Sequence, residues 1–206
     1  MRAVIISGGI ITDYEYIKSQ VKSSDTVICA DSGYYHAEKM ELSPAIVTGD
    51  FDSVTETDIP NDIPRLRYPS RKDLTDTEIA INYAREKGFK DFLLLAATGS
   101  RIDHSLTNIL LLKSFSDNGE NAVVIDEHNK IMLTSSKLQL SEPPGSIVSL
   151  VPITDCFGVT TENLEYPLNN ATMFSGKGLG VSNVMLDSDA VVTLEQGLLL
   201  VIIARD

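Results

Sequence analysis

Short β-branched runs alternate with amphipathic stretches through the first part of the chain. Residues 3–6, 26–30, 45–48, 92–97 and 122–125 read as buried strands. Alternation of this kind predicts a parallel sheet covered by helices. Residues 75–87 carry the clearest helical pattern. Thr75 and Glu78 make a capping-box start, Ile79, Ala80, Tyr83 and Ala84 recur at helical spacing, and Gly88 supplies the stop. A second helix is expected over 103–115, with Leu106, Ile109 and Leu110 on one face and Leu111, Leu112 and Phe115 on others, so that neighbouring helices or another subunit cover more than one side. From about residue 130 the pattern changes to strands and turns: 130–134, 146–151, 158–161, 181–186, 190–194 and 198–204, divided by Pro143-Pro144-Gly145 and Asp187-Ser188-Asp189. This second part is expected to form a separate antiparallel β-domain, and the join near 126–130 is too short for a flexible linker.

Composition narrows the picture. With 206 residues and 43% hydrophobic content the chain can build one large core or two small ones. A net charge of -12 argues against broad binding to nucleic acid or an anionic membrane surface. The apolar start, 1–11, lacks a basic leader and is broken by Ser7-Gly8-Gly9, so it reads as a first strand rather than a signal peptide. No run approaches membrane-spanning length. Cys29 and Cys156 have no C-x-x-C spacing, which points to free thiols in a reducing cytoplasm, with Cys29 packed inside a strand.

The candidate chemistry lies in acidic residues within short turn-like motifs at strand ends. Asp31 sits in A-D-S-G, Asp50 and Asp52 in G-D-F-D-S, Asp73 and Asp76 in K-D-L-T-D, and Asp103 in G-S-R-I-D-H. Side-by-side strands bring such carboxylates to one edge. Two unit charges about 4 Å apart interact by roughly 4 kcal/mol at an effective dielectric of about 20, so the group calls for a cation. Oxygen-only ligands suit Mg²⁺, which also accepts substrate phosphates. In open α/β sheets ligands bind outside the carboxyl ends of the strands, where Ser7-Gly8-Gly9, Asp31, Asp50 and Thr98-Gly99 fall. Any one of these aspartates alone is more often a helix cap or turn residue; their conjunction favours a site. In G-D-F-D-S an extended backbone would point both carboxylates one way and let Phe51 turn inward. Asp73 or Thr75 can instead cap the following helix, and Asp76 can complement its dipole. Arg71, Lys72 and Arg101 are cations suited to phosphate oxygens, and His104 either donates to phosphate or caps a helix. The three His and two Cys form no zinc spacing, and neither G-x-G-x-x-G nor a P-loop occurs. Gly176-Lys177-Gly178-Leu179-Gly180 reads as a hairpin turn, with Ser182-Asn183 after it either part of that turn or presented to a ligand.

Taken in order, these motifs resemble those of bacterial thiamine pyrophosphokinases (thiamine diphosphokinases) along the whole chain. The resemblance implies a three-layer α/β catalytic domain over 1–128 and an antiparallel β-sandwich that binds thiamine over 129–206. It also implies a cytoplasmic homodimer that moves a diphosphate from ATP to the hydroxyl of thiamine with Mg²⁺ and releases AMP. Asp50, Asp52 and Asp73 would hold the metal, with Asp31 and Asp103 lining the same pocket. The nucleotide would lie against Ser7, Gly8, Asp31, Arg71, Lys72, Thr98, Ser100, Arg101 and His104. Thiamine would meet Asp76, Ser182 and Asn183, the last two at the dimer interface facing the other subunit's catalytic domain. Asp73 or Asp103 would take the alcohol proton. Two motifs depart from the family pattern: D-G-G stands as Asp31-Ser32-Gly33, and G-G-R-x-D-H as Gly99-Ser100-Arg101-Ile102-Asp103-His104. Some relatives stack thiamine on tryptophan, and this chain has none, so the aromatic partner is open. Two other readings stand beside this one: a diphosphokinase for a pterin alcohol, and a non-catalytic Mg-nucleotide sensor. Ser182-Asn183 and the full β-domain favour thiamine.

Overall fold

Strands that are apolar at every position need cover on both faces, and the first unit of the computed structural model, Met1–Glu127, supplies it. The structure describes residues 1–68 and 73–205. The elements of this unit are, in order, β1 (Arg2–Ile6), α1 (Tyr14–Ser19), β2 (Thr26–Ala30), α2 (Gly33–Lys39), β3 (Ile46–Gly49), β4 (Arg65–Arg67), α3 (Asp76–Glu86), β5 (Asp91–Leu95), α4 (Ile102–Asp117) and β6 (Asn121–Ile125). The strands pair in parallel in the order β6-β5-β1-β2-β3-β4. Val4 and Ile6 of β1 pack with Ile17 of α1 and with Tyr34 and Ala37 of α2. Ala3 and Ile5, which point the other way, are equally buried, and α3 runs against β1, β2 and β3. The result is the helix-sheet-helix layering expected from the alternating pattern.

The second unit, His128–Asp206, contains β7 (Asn129–Thr134), β8 (Lys137–Ser141), β9 (Ile147–Pro152), β10 (Cys156–Glu162), β11 (Ala171–Met173), β12 (Asn183–Val184), β13 (Asp189–Thr193) and β14 (Leu199–Ala204). Antiparallel pairing orders them as β12-β9-β14-β7 and β11-β10-β13-β8. Alternate residues of both sheets, among them Val148, Leu150, Val201, Val159, Val192 and Leu140, fill one core between them. This is the antiparallel sandwich.

Three details differ from the sequence expectation. The strand expected over 181–186 is only Asn183–Val184, because Ser182 adopts φ +59 and Gly180 φ +96, which break an extended run. Leu106 and Leu110 of α4 are not covered within the unit: they are 53% and 42% exposed, while Asn108, Leu112 and Phe115 form the buried face. Phe51 is not in extended backbone but at φ +63. The capping box is present as expected, with Glu78 N–H donating to Thr75 Oγ1 at 3.2 Å and Thr75 N–H to Glu78 Oε2 at 2.9 Å. Among the described residues no helix is long and apolar enough to cross a membrane.

One buried ion pair ties the start of β1 to the entry of β2. Arg2 Nη2 reaches Asp25 Oδ2 at 2.5 Å and the Gln20 carbonyl at 2.7 Å, and Lys22 N–H donates to the same carboxylate. Burial pushes the Asp25 carboxyl upward, but the Arg2 guanidinium and the Lys22 amide outweigh it and hold the group below its usual range. A carboxylate depressed in this way stabilises the fold above its unfolded pKa and loses that contribution as pH falls through the folded value. Asp25→Asn is therefore expected to cost about 1.5–3 kcal/mol at pH 7, and the gap from wild type should close in acid as pH falls through the depressed folded value. Urea unfolding at pH 7 and in acid checks this, and a gap that persists in acid would contradict it.

Candidate active site

The strand order reverses between β1 and β5: the chain runs outward through β2, β3 and β4, then returns to pair β5 on the other side of β1. At that point the two outgoing loops stay bonded to each other. Gly9 N–H donates to the Ala96 carbonyl at 2.7 Å and Ile10 N–H to the Thr98 carbonyl at 3.0 Å. A Cβ on Gly9 would collide with those same two carbonyl oxygens, so the turn admits only glycine there. The departure Asp31-Ser32-Gly33 keeps glycine where it matters, since a Cβ at Gly33 would strike the Ile6 carbonyl.

These loops frame a cavity of about 430 Å³. Of the residues expected at a site, Ser7, Gly8, Asp31, Asp76, Thr98, Ser100, Arg101 and His104 line it. Ser7 Oγ lies 2.9 Å from Thr77 Oγ1, and Thr98 Oγ1 donates to Asp126 Oδ2 at 2.8 Å, so both hydroxyls are oriented from behind. Buried Asn108 donates to the Ala97 carbonyl at 2.8 Å, and Ser105 Oγ accepts the Gly99 N–H at 3.0 Å, which fastens the β5–α4 loop to α4.

At the neighbouring strand ends Asp31, Asp50 and Asp52 offer carboxylate oxygens that all lie within 4.8 Å of one another. Two backbone strains produce this. Asp31 follows β2 at φ +47, and Phe51 at φ +63 folds the Asp50–Asp52 segment into a turn while its ring packs on the core. Asp52 N–H closes the turn on Asp50 Oδ1 at 3.1 Å. Asp31 is only 6% exposed, and its Oδ1 is buried with no hydrogen-bond partner among the described residues. Burial pushes its carboxyl upward against the hydrogen bonds of Ser53 and Ser32, and the charges of Asp76 and Asp52 push the same way.

The remaining candidates lie apart from this trio. Asp73 is exposed just ahead of α3 and is not one of the clustered acids. Asp103 is exposed and paired with Arg101, Nη2 to Oδ2 at 2.6 Å; that hydrogen bond holds its carboxyl down at about 2. Arg71 and Lys72 fall outside the described residues. In the second unit, Ser182 is exposed and its N–H donates to Ser149 Oγ. Asn183 is buried: its Oδ1 accepts from Tyr166 N–H at 3.0 Å and its Nδ2 donates to the Tyr166 carbonyl at 2.7 Å. That amide clamps the backbone of a tyrosine whose side chain is 64% exposed.

Residues 17–124 match the family profile described as thiamin pyrophosphokinase, catalytic domain, and residues 135–199 match the one described as thiamin pyrophosphokinase, vitamin B1 binding domain. Thiamine pyrophosphokinase of Bacillus subtilis (strain 168) is 31% identical over 180 residues, 80% of this chain and 80% of that one. The chain belongs to the thiamine pyrophosphokinase family. It is thus an enzyme, of the thiamine diphosphokinase class. Its fold is similar to the crystal structure of thiamine pyrophosphokinase from Bacillus subtilis, with TM-score 0.90 at 25% identity over 100% of both chains. It is also similar to that of thiamin pyrophosphokinase from Geobacillus thermodenitrificans, with TM-score 0.88 at 25% identity over 100% of this chain and 98% of that one.

Several residues that line the cavity escape sequence reasoning. Thr77, Ser105 and Asn108 look like ordinary helix residues, and only the 3.6-residue spacing that puts Ser105 and Asn108 on one turn of α4 hints at them.

Crowding of three carboxylates beside a buried, unpartnered oxygen destabilises the fold in the absence of a cation. Asp31→Asn is expected to raise the thermal midpoint of the metal-free protein at pH 7, by about 2–4 °C for each kcal/mol relieved. A calorimetric scan in chelator tests this; a lowered midpoint would contradict the charge crowding.

Proposed function

We propose that this thiamine pyrophosphokinase family member transfers a diphosphate group from ATP to the hydroxyl of thiamine, giving thiamine diphosphate and AMP. The observation that carries the reading is the trio Asp31, Asp50 and Asp52, with the orphaned Oδ1 of Asp31, beside a polar cavity floored by a glycine turn. Such a donor set fits a hard divalent cation. Asp50 and Asp52 would hold Mg²⁺ with Asp31 as the third acid; bound there, the ion offsets the charge of phosphate oxygens and polarises the phosphorus.

The chain's own groups do the rest by positioning. Ser7, Gly8, Thr98, Ser100 and His104 line the space for the triphosphate, and Arg101, with Arg71 and Lys72 as further cations from the sequence, offsets its charge. The thiamine oxygen attacks the β-phosphorus, the bond from that phosphorus to the α,β-bridging oxygen breaks, and AMP carries the electron pair away. Asp73 or Asp103 would take the alcohol proton, and in Asp103 the carboxylate is engaged by the Arg101 guanidinium. In the second unit Ser182 offers a hydroxyl to thiamine, and the Asn183 clamp presents Tyr166 as the aromatic face that the missing tryptophan left open. A homodimer would bring that face to the partner's catalytic unit near Asp76. The exposed stripe Ile102, Leu106 and Leu110 on α4 supports such an assembly. Buried free thiols at Cys29 and Cys156 agree with a cytoplasmic enzyme.

The direct test incubates purified protein with MgATP and thiamine. AMP and thiamine diphosphate are expected in equal amounts, with no AMP when a pterin alcohol replaces thiamine; nucleotide binding without AMP would favour a sensor instead. Asp50→Asn and Asp52→Asn should keep the far-UV spectrum and lose about 10²–10³-fold in turnover; near-normal turnover in both would refute the ligand assignment. Tyr166→Ala should raise the KM for thiamine about fivefold while Tyr166→Phe leaves it unchanged, and equal effects of the two would remove the ring from the site.

A further inference from the structure

Behind the glycine turn runs a polar chain that the transfer reaction does not use. His36, half-buried on α2, meets the Gly9 carbonyl through Nε2 at 2.8 Å and the Tyr14 hydroxyl through Nδ1 at 2.8 Å. The carbonyl can only accept, so Nε2 carries the hydrogen; with the imidazole neutral, Nδ1 then accepts from the Tyr14 O–H. Burial, and to a smaller degree Lys39, pull its pKa down and keep it in that form, against an upward pull from the Gly9 carbonyl and Glu127. Tyr14 is itself held, with Lys39 Nζ 4.0 Å from its ring centroid. The far end of the same loop is fixed too, since the Glu127 carboxylate accepts the backbone N–H groups of Thr12 and Asp13.

The peptide between Gly9 and Ile10 is thereby bonded at both poles: its carbonyl to His36 and its N–H to the Thr98 carbonyl at 3.0 Å. The orientation matters because Gly9 and Ile10 line the cavity, and glycine alone places little barrier against a peptide flip. A flipped peptide would aim the Gly9 carbonyl at the Thr98 carbonyl that Ile10 N–H now meets, where like partial charges repel and the two loops that frame the cavity would part. We infer that His36 is a positioning residue for nucleotide binding: by holding the Gly9 carbonyl on the α2 side it keeps the Ser7–Ile10 turn open to a polyphosphate. This rests on the ATP reading above for its consequence, though not for its local effect on the loop.

Three variants test it: His36→Leu, which removes both bonds; His36→Gln, whose amide can still donate to the Gly9 carbonyl; and Tyr14→Phe, which frees Nδ1. His36→Leu is expected to raise the KM for ATP about tenfold, the scale of one buried acceptor left unpaired, with kcat and the KM for thiamine within about twofold. His36→Gln should recover most of that loss, and Tyr14→Phe should fall between. An unchanged KM for ATP in His36→Leu overturns the inference, as does an equal rise in both KM values that His36→Gln fails to rescue, because that pattern marks general loosening. Amide hydrogen exchange at Gly9 and Ile10 supplies a readout without turnover, with exchange in His36→Leu about tenfold faster at unchanged global stability. If wild type makes no AMP, the proposed reaction falls while the exchange experiment still decides the positioning role; unaltered exchange overturns it.

Discussion

Three carboxylate oxygens within 4.8 Å of one another repel, and the first unit is built to hold them there against that repulsion. The parallel sheet makes the gathering possible, because β2 and β3 are hydrogen-bonded neighbours that end at the same edge. Completing it takes two residues in left-handed backbone, Asp31 and Phe51, each of which costs on the order of 1 kcal/mol or more. Ala96, at the end of β5, is a third such residue, and its carbonyl receives Gly9 N–H. Three left-handed residues thus stand at the ends of β2, β3 and β5, while others, such as Glu41 and Ser182, stand elsewhere in the chain. Under the proposed reading, a cation bound there would relieve that repulsion.

Much of this was legible from residue order. Short continuous apolar runs rich in β-branched or bulky residues, such as Ala3 to Ile6 and Phe92 to Leu95, read as strands buried on both faces, and Thr75 with Glu78 marks a helix start through a bonding pattern that needs no tertiary help. Elements without a periodic apolar signal were missed. The β4 strand, Arg-Leu-Arg, is an edge strand three residues long, and β8 and β11 alternate too briefly to stand out. In α4, the pattern calls for cover over Leu106 and Leu110 without saying whether a neighbouring helix or another subunit provides it, and within the unit they stay exposed.

The site was legible to the same depth. Asp31, Asp50 and Asp52 follow predicted strands, so their convergence follows from the sheet. The mechanism of convergence did not follow, since an extended G-D-F-D-S and a turn through Phe51 bring the acids together from the same letters. Asn183 was singled out as a polar group for a ligand, yet its amide is spent on the Tyr166 backbone. His36 has no motif at all; only the distance from α2 to the glycine turn gives it a role.

Glu127, the last residue of the first unit, grips Thr12 and Asp13 near its beginning, and β1 has no second neighbour until β5 is made. The glycine turn therefore takes its full set of bonds only from residues that lie as far along the chain as Ala96, Thr98 and Glu127. Its shape is thus set by bonds that reach from one end of the first unit to the other, so it depends on the completeness of that whole unit.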